Sequence, residues 1–447
     1  MAHPDPSQNQ TSNRILILGA GLCGLSLALA CKYAHPIPIP FTLFERSPRN
    51  DVRSQGYRIR VGPDGASALK KLIPAEMWTV FEASCARVEE GMNKLSPPDA
   101  EEVRDGMFGP GGKGPPRGPI LEYEDLVDGR TFNVDRAVVR EVLLSGLEEQ
   151  DVVFGKKALG YAVLPESEGG GEVEVRFEDG SAERGSFLVG GDGVRSIVRR
   201  EMLPEFRVLD TECRAVFGKT AITQDLVGRI PEPFSQGITV CKDNDAPGMM
   251  LFSDVMRFDR TAPAMITGVN VPPDYIYWVL GFRKDVVGVS QDDRNLLRLS
   301  SEECRRLSLE LTEKWHESIC ALLQNQSLDA SSTLAILTSA PGFERAWAQR
   351  AADTKGLVAV VGDAAHPMTP VGASGANTAW QDAYDLFCAL STMQQTQDNS
   401  KRVELLGAYE AKMLHRAKPT VERSTGGARH LFGMRPVGEL KEVEWLR

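Results

Sequence analysis

The sequence has few of the features that would indicate a metal site or a disulfide framework. Its eight cysteines are scattered along 447 residues, none of them forms a C-x-x-C pair, and no His/Cys cluster has the spacing of metal ligands. Scattered thiols of this kind are typical of a protein kept in a reducing compartment. We therefore expect free cysteines and no bound metal ion.

An excess of positive charge and a long membrane-spanning run are also missing. The formal net charge is -10 at pH 7, which argues against nucleic acid or an anionic membrane as the main partner. The one long apolar stretch, 15–31, follows a polar leader (1–13) and is interrupted by glycines, so it is typical of neither a signal peptide nor a membrane span. The expectation is a cytoplasmic protein without a membrane partner.

The same apolar stretch has the pattern of a dinucleotide-binding unit. A short strand, ILIL (15–18), is followed by Gly19-Ala-Gly21-Leu-Cys-Gly24 and by small and apolar residues that favour a helix. In such a unit the first glycine makes a tight turn, the second lets the backbone approach a pyrophosphate, and the third lets helix pack on strand. A second apolar strand ends in Glu45, where a ribose-binding acid is expected. Together these features predict an adenine dinucleotide site.

Two further apolar strands each lead into an aspartate. SFLVGG leads into Asp192, with Arg195 just beyond, and GLVAVVG (356–362) leads into Asp363. An apolar run that closes on a Gly-Asp pair is typical of a buried strand that delivers one carboxylate to a fixed point. The small residues that follow in VGDAAHPMTPVGASGAN would let the backbone press against a flat or phosphorylated group. An NAD site alone would leave these segments without a purpose.

Four motifs, taken in order, make the sequence similar to one family. They are GAGLCG (19–24) with Glu45, DRAVVREVL (135–143), GGDGVRSIVR (190–199) and VGDAAHPMTP…GAN (361–377). In this combination they resemble the single-component (group A) FAD-dependent aromatic hydroxylases, the para-hydroxybenzoate-hydroxylase-like monooxygenases. The resemblance spans residues 15 to about 390, which is most of the chain.

The resemblance implies a cofactor role for each matching residue. The residues implied to hold the ADP half of FAD are Gly19, Gly21, Gly24 and Glu45, and Arg136 is implied near the pyrophosphate and the adenosine. Asp363 is implied for the ribityl chain or the pyrophosphate, and Gly375, Ala376 and Asn377 are implied beside the isoalloxazine ring. Arg46, next to Glu45, is a further candidate cofactor ligand. Asp192 lies in a DG motif that the family links to both FAD and NAD(P)H.

For some residues near these motifs, two interpretations stay open. Arg58 and Arg60, in GYRIRVGPDG, resemble a segment that lines the flavin in the family, so they could contact the pyrophosphate or the reduced flavin, or else project into solvent. We include Arg60 among the candidate cofactor ligands. His366 invites a catalytic role, but a turn cap before Pro367 is the interpretation we favour.

The flavin loop departs from the family pattern. Where relatives have P-x-G-G-Q-G-x-N, this chain has Pro370-Val-Gly-Ala373-Ser374-Gly-Ala-Asn377. Alanine and serine are small, so we expect the backbone path to be preserved.

The resemblance also implies an α/β fold, with a Rossmann-like FAD-binding domain of the GR2/PHBH type and an inserted β-sheet substrate domain. The expected segments are a disordered leader (1–13), the first parts of the FAD-binding domain (14–204, with a mobile loop at 104–119), a β-rich substrate domain (205–340), the Gly-Asp part of the FAD-binding domain (341–395) and a helical tail (396–447).

Two segments of the middle region have clear patterns of their own. DYIYWVLGFRKD (274–285) alternates aromatic and aliphatic residues and suits a sheet that covers a substrate pocket. SEECRRLSLELTEKWHESICALLQNQ (301–326) has the apolar spacing of one amphipathic helix.

The chemistry implied is that NAD(P)H, as NADPH or NADH, reduces FAD and that O2 is then captured at flavin C4a. The hydroperoxide gives one oxygen atom to an electron-rich aromatic or polycyclic small molecule, by hydroxylation or epoxidation, in specialised metabolism. Lys219 and Tyr277, in the expected pocket, are candidates to stabilise a phenolate, although Tyr277 could equally be packing and Lys219 solvated.

Three other functions are compatible with a flavin-binding fold of this kind. A flavin halogenase needs a W-x-W motif that this chain lacks. A flavin oxidase or dehydrogenase of the same fold, without oxygen insertion, is the alternative that no residue excludes. A non-enzymatic flavin-binding protein would have no need of the whole set of FAD contacts. Substrate, cofactor preference and oligomeric state are not encoded in any of these motifs.

Overall fold

The structure is a computed structural model that describes residues 13–50, 57–89, 91–103, 129–165, 171–243, 248–260, 269–285, 293–348, 350, 354–396 and 398–443. Residues 1–12 of the predicted leader (1–13) and the whole predicted loop at 104–119 lie outside these ranges.

The secondary structure alternates strands and helices in its first part and is rich in strands in its middle. The strands are β1 Ile15–Leu18, β2 Phe41–Glu45, β3 Arg58–Val61, β4 Met92–Leu95, β5 Phe132–Asp135, β6 Val152–Phe154, β7 Ala158–Val163, β8 Val173–Phe177, β9 Ala182–Gly185, β10 Phe187–Gly190, β11 Val208–Ala221, β12 Ile238–Lys242, β13 Met250–Met256, β14 Tyr275–Arg283, β15 Ser332–Ser339, β16 Val358–Val360 and β17 Lys441–Glu442. The helices are α1 Leu22–Lys32, α2 Pro63–Leu72, α3 Ala75–Ser84, α4 Arg136–Ser145, α5 Ile197–Met202, α6 Gln224–Val227, α7 Asp293–Leu296, α8 Ser301–Leu311, α9 Glu317–Gln324, α10 Arg345–Ala348, α11 Gly375–Met393 and α12 Asn399–Phe432.

A five-stranded parallel sheet forms the nucleotide-binding half. Its order is β16-β10-β1-β2-β6, and every neighbouring pair is parallel. β1, β10 and β16 are buried along their whole length, as expected for continuous apolar strands covered on both faces. Since the strands are parallel, their carboxyl ends meet at one edge, the usual place for a ligand in such a sheet.

A second, mostly antiparallel sheet has the order β15-β11-β14-β13-β12-β4, with β17 added beside β11. One face packs on α8 and α9 through buried residues such as Trp278 and Ile319. The opposite face carries Phe217, Tyr275 and Tyr277 and turns toward the short β3–β5 ribbon. The mixed α/β architecture confirms the predicted fold class, whereas the domain boundaries stay a prediction.

One helix prediction needs correction. The expected single helix over 301–326 is two helices, Ser301–Leu311 and Glu317–Gln324, because the chain turns at His316, whose ring accepts a hydrogen bond from Ser318 N at 3.3 Å and so caps the second helix. The tail helix continues to Phe432 through Pro419, since buried side chains such as Met413, Val421 and Phe432 keep it packed on the sheets. Among the described residues, no helix combines the length and the apolar character needed to cross a membrane.

Candidate cofactor and substrate site

The carboxyl edge of the parallel sheet brings the predicted motifs together. Backbone hydrogen bonds connect them directly: Gly19 N donates to Phe44 O at 2.7 Å, Gly191 N donates to Leu18 O at 2.8 Å, and Val361 N donates to Gly190 O at 3.0 Å. The glycine turn, Glu45, the DG motif and the Gly-Asp motif therefore all begin at this edge, although they are far apart in the sequence.

The three glycines of the turn have different surroundings, and the differences match their expected roles. Gly19 has a φ of 100°, and a Cβ there would lie 2.4 Å from Gly191 O. A Cβ on Gly24 would lie 2.1 Å from Gly19 O, so only glycine lets helix α1 approach the turn. A Cβ on Gly21 would meet nothing within 4 Å. The open space at Gly21 lies at the uncapped amino terminus of α1, which suits a pyrophosphate.

Glu45 stands at the end of β2 and contacts the turn itself. Its carboxylate accepts hydrogen bonds from Ala20 N at 2.8 Å and from Ser47 N at 2.9 Å. Arg46 is exposed beside it. Burial and, to a smaller extent, the Arg46 charge lower the pKa of Arg195, so two cations lie near each other at this edge. A phosphate-bearing ligand is favoured by such a pair.

The two aspartates at the strand ends are placed differently. Asp192 accepts a hydrogen bond from Ile197 N at 2.8 Å, while its other oxygen, Oδ1, is buried and has no partner among the described residues. Burial raises the pKa of the Asp192 carboxyl. The side chain of Asp363 is exposed to solvent. It lies close to the start of helix α11, since a Cβ on Gly375 would be 3.9 Å from Asp363 Oδ1. The unpaired oxygen and the open carboxylate fit the polar chain of FAD.

Arg199 fixes the two aspartate motifs to each other. Its guanidinium donates to Asp363 O at 3.3 Å, to Ala364 O at 2.9 Å and to Val194 O at 2.6 Å. Burial lowers the pKa of Arg199 to about 10. Arg199 lies inside the GGDGVRSIVR motif, but no feature of the sequence indicated its role.

Asn377 anchors the flavin loop to strand β3. Its side chain accepts a hydrogen bond from Gly62 N at 2.8 Å and donates to Arg60 O at 2.9 Å and to Ala373 O at 2.7 Å. Gly375 and Ala376 follow the loop at the start of α11 and are partly exposed. The role implied for Asn377 beside the flavin stays a prediction; its observed contacts position the loop.

The departure from the family pattern at Ala373 has a structural consequence. Ala373 has a φ of 51°, in the left-handed region that costs a residue with a Cβ about 1 kcal/mol or more. We expect Ala373→Gly to raise the free energy of unfolding by about 1 kcal/mol, measured by chemical denaturation. Ala379→Gly, in the adjacent helix, is the matched control and should lower it by about 1 kcal/mol. A destabilising Ala373→Gly would show that the loop is not strained.

His366 belongs to a buried ionic network. Its Nε2 lies 2.5 Å from Asp382 Oδ2, and the other Asp382 oxygen accepts a hydrogen bond from Arg416 at 2.8 Å. Asp382 Oδ2 also accepts from Gly362 N at 3.1 Å, at the start of the Gly-Asp turn. His366 is fully buried, which agrees with a structural role rather than contact with a ligand.

Lys219 and Tyr277, the candidates for substrate activation, lie side by side on β11 and β14. Lys219 Nζ is 2.5 Å from Asp135 Oδ2, and Tyr275 OH donates to the same oxygen at 2.8 Å. Asp135 also caps helix α4, because its Oδ1 accepts from Ala137 N at 2.9 Å. Tyr277 is buried, and burial raises the pKa of its hydroxyl. Both residues remain candidates, with Lys219 engaged in an ion pair rather than solvated.

Two buried acids on this side were missed by the sequence analysis. Asp135 directly precedes the helix that begins at Arg136, and an aspartate before an apolar-periodic run is a helix-cap signal that could have identified it. Asp254 forms an ion pair with Arg58 and accepts a hydrogen bond from Asn133 at 3.3 Å. No local pattern indicates Asp254, since its partner lies on a strand distant in sequence.

Comparison with known proteins agrees with this site. The FAD binding domain family matches residues 308–424. The chain is 31% identical over 466 residues to the dual O-methyltransferase/FAD-dependent monooxygenase elcB of Phaeosphaeria nodorum, covering 96% of this chain and 47% of that protein. It is 26% identical over 410 residues to salicylate hydroxylase of Pseudomonas putida, covering 90% of this chain and 82% of the relative. The chain thus spans about half the length of the first curated relatives that it matches.

A solved structure shares the fold. Klebsiella pneumoniae HpxO, complexed with FAD and uric acid, superimposes with a TM-score of 0.66 at 20% identity, covering 94% of this chain and 89% of that one. Over 96% of its length the chain is similar to a protein named as an FAD-dependent monooxygenase, and its residues 308–424 match the FAD binding domain family. Both findings support the family and the FAD cofactor predicted from the motifs.

Proposed function

We propose that this chain is an NAD(P)H- and O2-dependent monooxygenase that inserts one oxygen atom into an aromatic or polycyclic small molecule of specialised metabolism. The observation that carries the proposal is the meeting of three distant motifs at one sheet edge, namely the glycine turn with Glu45, the DG motif and the Gly-Asp motif. This edge is connected through β3 to the face of a second sheet. Asn377 holds β3 on the flavin loop, and Arg58 of β3 pairs with Asp254 of the second sheet. Relatives named as FAD-dependent monooxygenases support it.

The residues of the chain would divide the work by position. Gly21 and the amino terminus of α1 would receive the pyrophosphate, Glu45 the ribose, and Asp363 with Asp192 the polar chain between pyrophosphate and ring. When bound, FAD supplies hydride acceptance from NAD(P)H and oxygen activation at C4a. The protein orients the substrate over the ring and excludes water from that space. Lys219 and Tyr277 stay candidates for holding a phenolate.

The alternative is an oxidase or dehydrogenase of the same fold, and isotope labelling separates the two. The purified protein, loaded with FAD, would be supplied with NADPH or NADH, labelled O2 and a panel of phenols and naphthols. A monooxygenase gives a product that contains one labelled oxygen atom for each nicotinamide oxidised. An oxidase gives labelled hydrogen peroxide and no labelled organic product with every compound, and that result would reject the proposal.

A further inference from the structure

Two ion pairs join the second sheet to the β3–β5 ribbon, each with one partner on the sheet and one on the ribbon. Arg58 pairs with Asp254, and Lys219 pairs with Asp135. The side chains of Asp254 and Asp135 are 2% and 1% exposed, so water screens neither pair. The two cations and the two carboxylates cancel, and the cluster is electrically neutral.

This neutral cluster lies close to the flavin loop. Arg58 and Arg60 are two residues apart on β3, which is about 7 Å along a strand, and Arg60 O is a contact of the Asn377 anchor. Arg60 itself also has an interaction partner within the described chain. A ligand between the loop and the second sheet would thus meet Arg58 as one half of an ion pair.

The other side chains on the face of the second sheet that turns toward β3 are mainly apolar. Phe252, Val279 and Leu334 are partly exposed and pack against the buried aromatic residues of this face, such as Phe217 and Tyr277. Arg58 stacks on the Phe252 ring, with its guanidinium carbon 5.6 Å from the ring centroid. An aromatic ring suits such a surface. A carboxylate would have to leave water and approach Asp254 and Asp135, which costs several kcal/mol unless a cation is released to pair with it.

We propose that the site selects uncharged aromatic compounds over aromatic carboxylates, and that Asp254 determines this selectivity by neutralising Arg58. The inference rests on the proposed function, because it concerns the substrate of the same site. A substitution of Asp254 should therefore change the preference for uncharged aromatic compounds. Asp254→Asn keeps an acceptor for Arg58 and Asn133 but leaves the arginine charge without its counter-ion, and a carboxylate ligand could then supply one.

The test uses two ligands of nearly the same shape, salicylate and salicylamide, with methyl salicylate as a second neutral ligand. Binding to the FAD-loaded protein is measured from the change in the visible flavin spectrum and, independently of the flavin, from the shift in melting temperature. We expect the native protein to bind salicylamide at least about tenfold more tightly than salicylate. In Asp254→Asn the ratio of the salicylate dissociation constant to the salicylamide dissociation constant should fall by at least about tenfold.

Two further variants make the result specific. Asp274→Asn, which removes one carboxylate from the half-exposed pair with Arg260, is the matched control and should keep the native ratio. In the double variant with Arg58→Met and Asp254→Asn, the tighter binding of salicylate expected for Asp254→Asn should be lost, because the Arg58 cation that would pair with salicylate is absent. A native preference for salicylate, or an Asp254→Asn protein that binds neither ligand or keeps the native ratio, overturns the inference. The proposed function fails separately, through the absence of labelled product.

Discussion

Replacing Gly21 with alanine is expected to weaken FAD binding at least about tenfold while the apoprotein keeps its fold and its stability. Gly21 has φ of -77° and ψ of 176°, which alanine adopts without strain, and a Cβ there would meet no atom of the protein within 4 Å. The added methyl group would instead occupy the space through which a pyrophosphate approaches α1. The free energy of unfolding should change by less than about 1 kcal/mol, because the lost glycine freedom of the unfolded chain offsets a poorer helix cap.

The measurement is a fluorescence titration of apoprotein with FAD, followed by chemical denaturation of the apoprotein. Gly24→Ala is the contrasting variant, because its Cβ would lie 2.1 Å from Gly19 O and no side chain can move to relieve the overlap. That variant should lose about 1–3 kcal/mol of stability before any cofactor is added. Equal FAD affinity in native protein and Gly21→Ala would mean that the pyrophosphate lies elsewhere.

The parallel half of the fold was predictable because its signals are local. An apolar strand, a glycine turn and a terminal acid are all read within a few dozen residues, and β1, β2, β10 and β16 appear where the apolar runs predicted them. The parallel pairing then fixes which ends meet, so Gly19, Glu45 and Asp363 could be expected at one edge. The Asp179-Gly180 pair lies between the antiparallel strands β8 and β9, and Asp-Gly between two strands is likewise a local signal of a hairpin turn.

The substrate side was far less predictable, because its polar groups are fixed by partners distant in sequence. Lys219 could be named as a lysine in an expected pocket strand, but its ion pair with Asp135 depends on β11 lying over the start of α4. The Arg58–Asp254 pair likewise depends on the ribbon of β3 and β5 packing on β13. Helix α12 passes through Pro419, a residue that sequence patterns treat as an end, since tertiary packing outweighs local propensity there.

Replacing Asp382 with asparagine is expected to lower the free energy of unfolding by at least about 3 kcal/mol at neutral pH. Asp382 is fully buried between His366 and Arg416, and removing it leaves Arg416 without one of its two carboxylate partners. Burial alone would raise the pKa of Asp382, but the charges of His366 and Arg416 outweigh burial and lower it. The charged carboxylate is therefore the form that the fold stabilises.

Asp385 is the matched control, because it pairs with the same arginine from the next turn of the same helix. Arg416 Nη1 lies 2.9 Å from Asp385 Oδ2, yet burial raises the pKa of Asp385, so the fold disfavours its charge. Asp385→Asn should accordingly change stability much less than Asp382→Asn. Thermal and urea unfolding of both variants beside the native protein would measure the difference.

The two carboxylates also predict opposite responses to pH. A carboxyl whose pKa is lowered on folding contributes stability above its unfolded pKa, about 3.9, and loses it as the pH falls through the folded value. The deficit of Asp382→Asn should therefore shrink on acidification below about pH 4. For Asp385 the folded pKa is raised, so protonation favours the folded state, and the stability of the native protein relative to Asp385→Asn should rise as the pH falls.

Because Asp382 also accepts from Gly362 N beside Asp363, a loss of stability without any loss of FAD affinity in Asp382→Asn would show that the network does not position the cofactor turn.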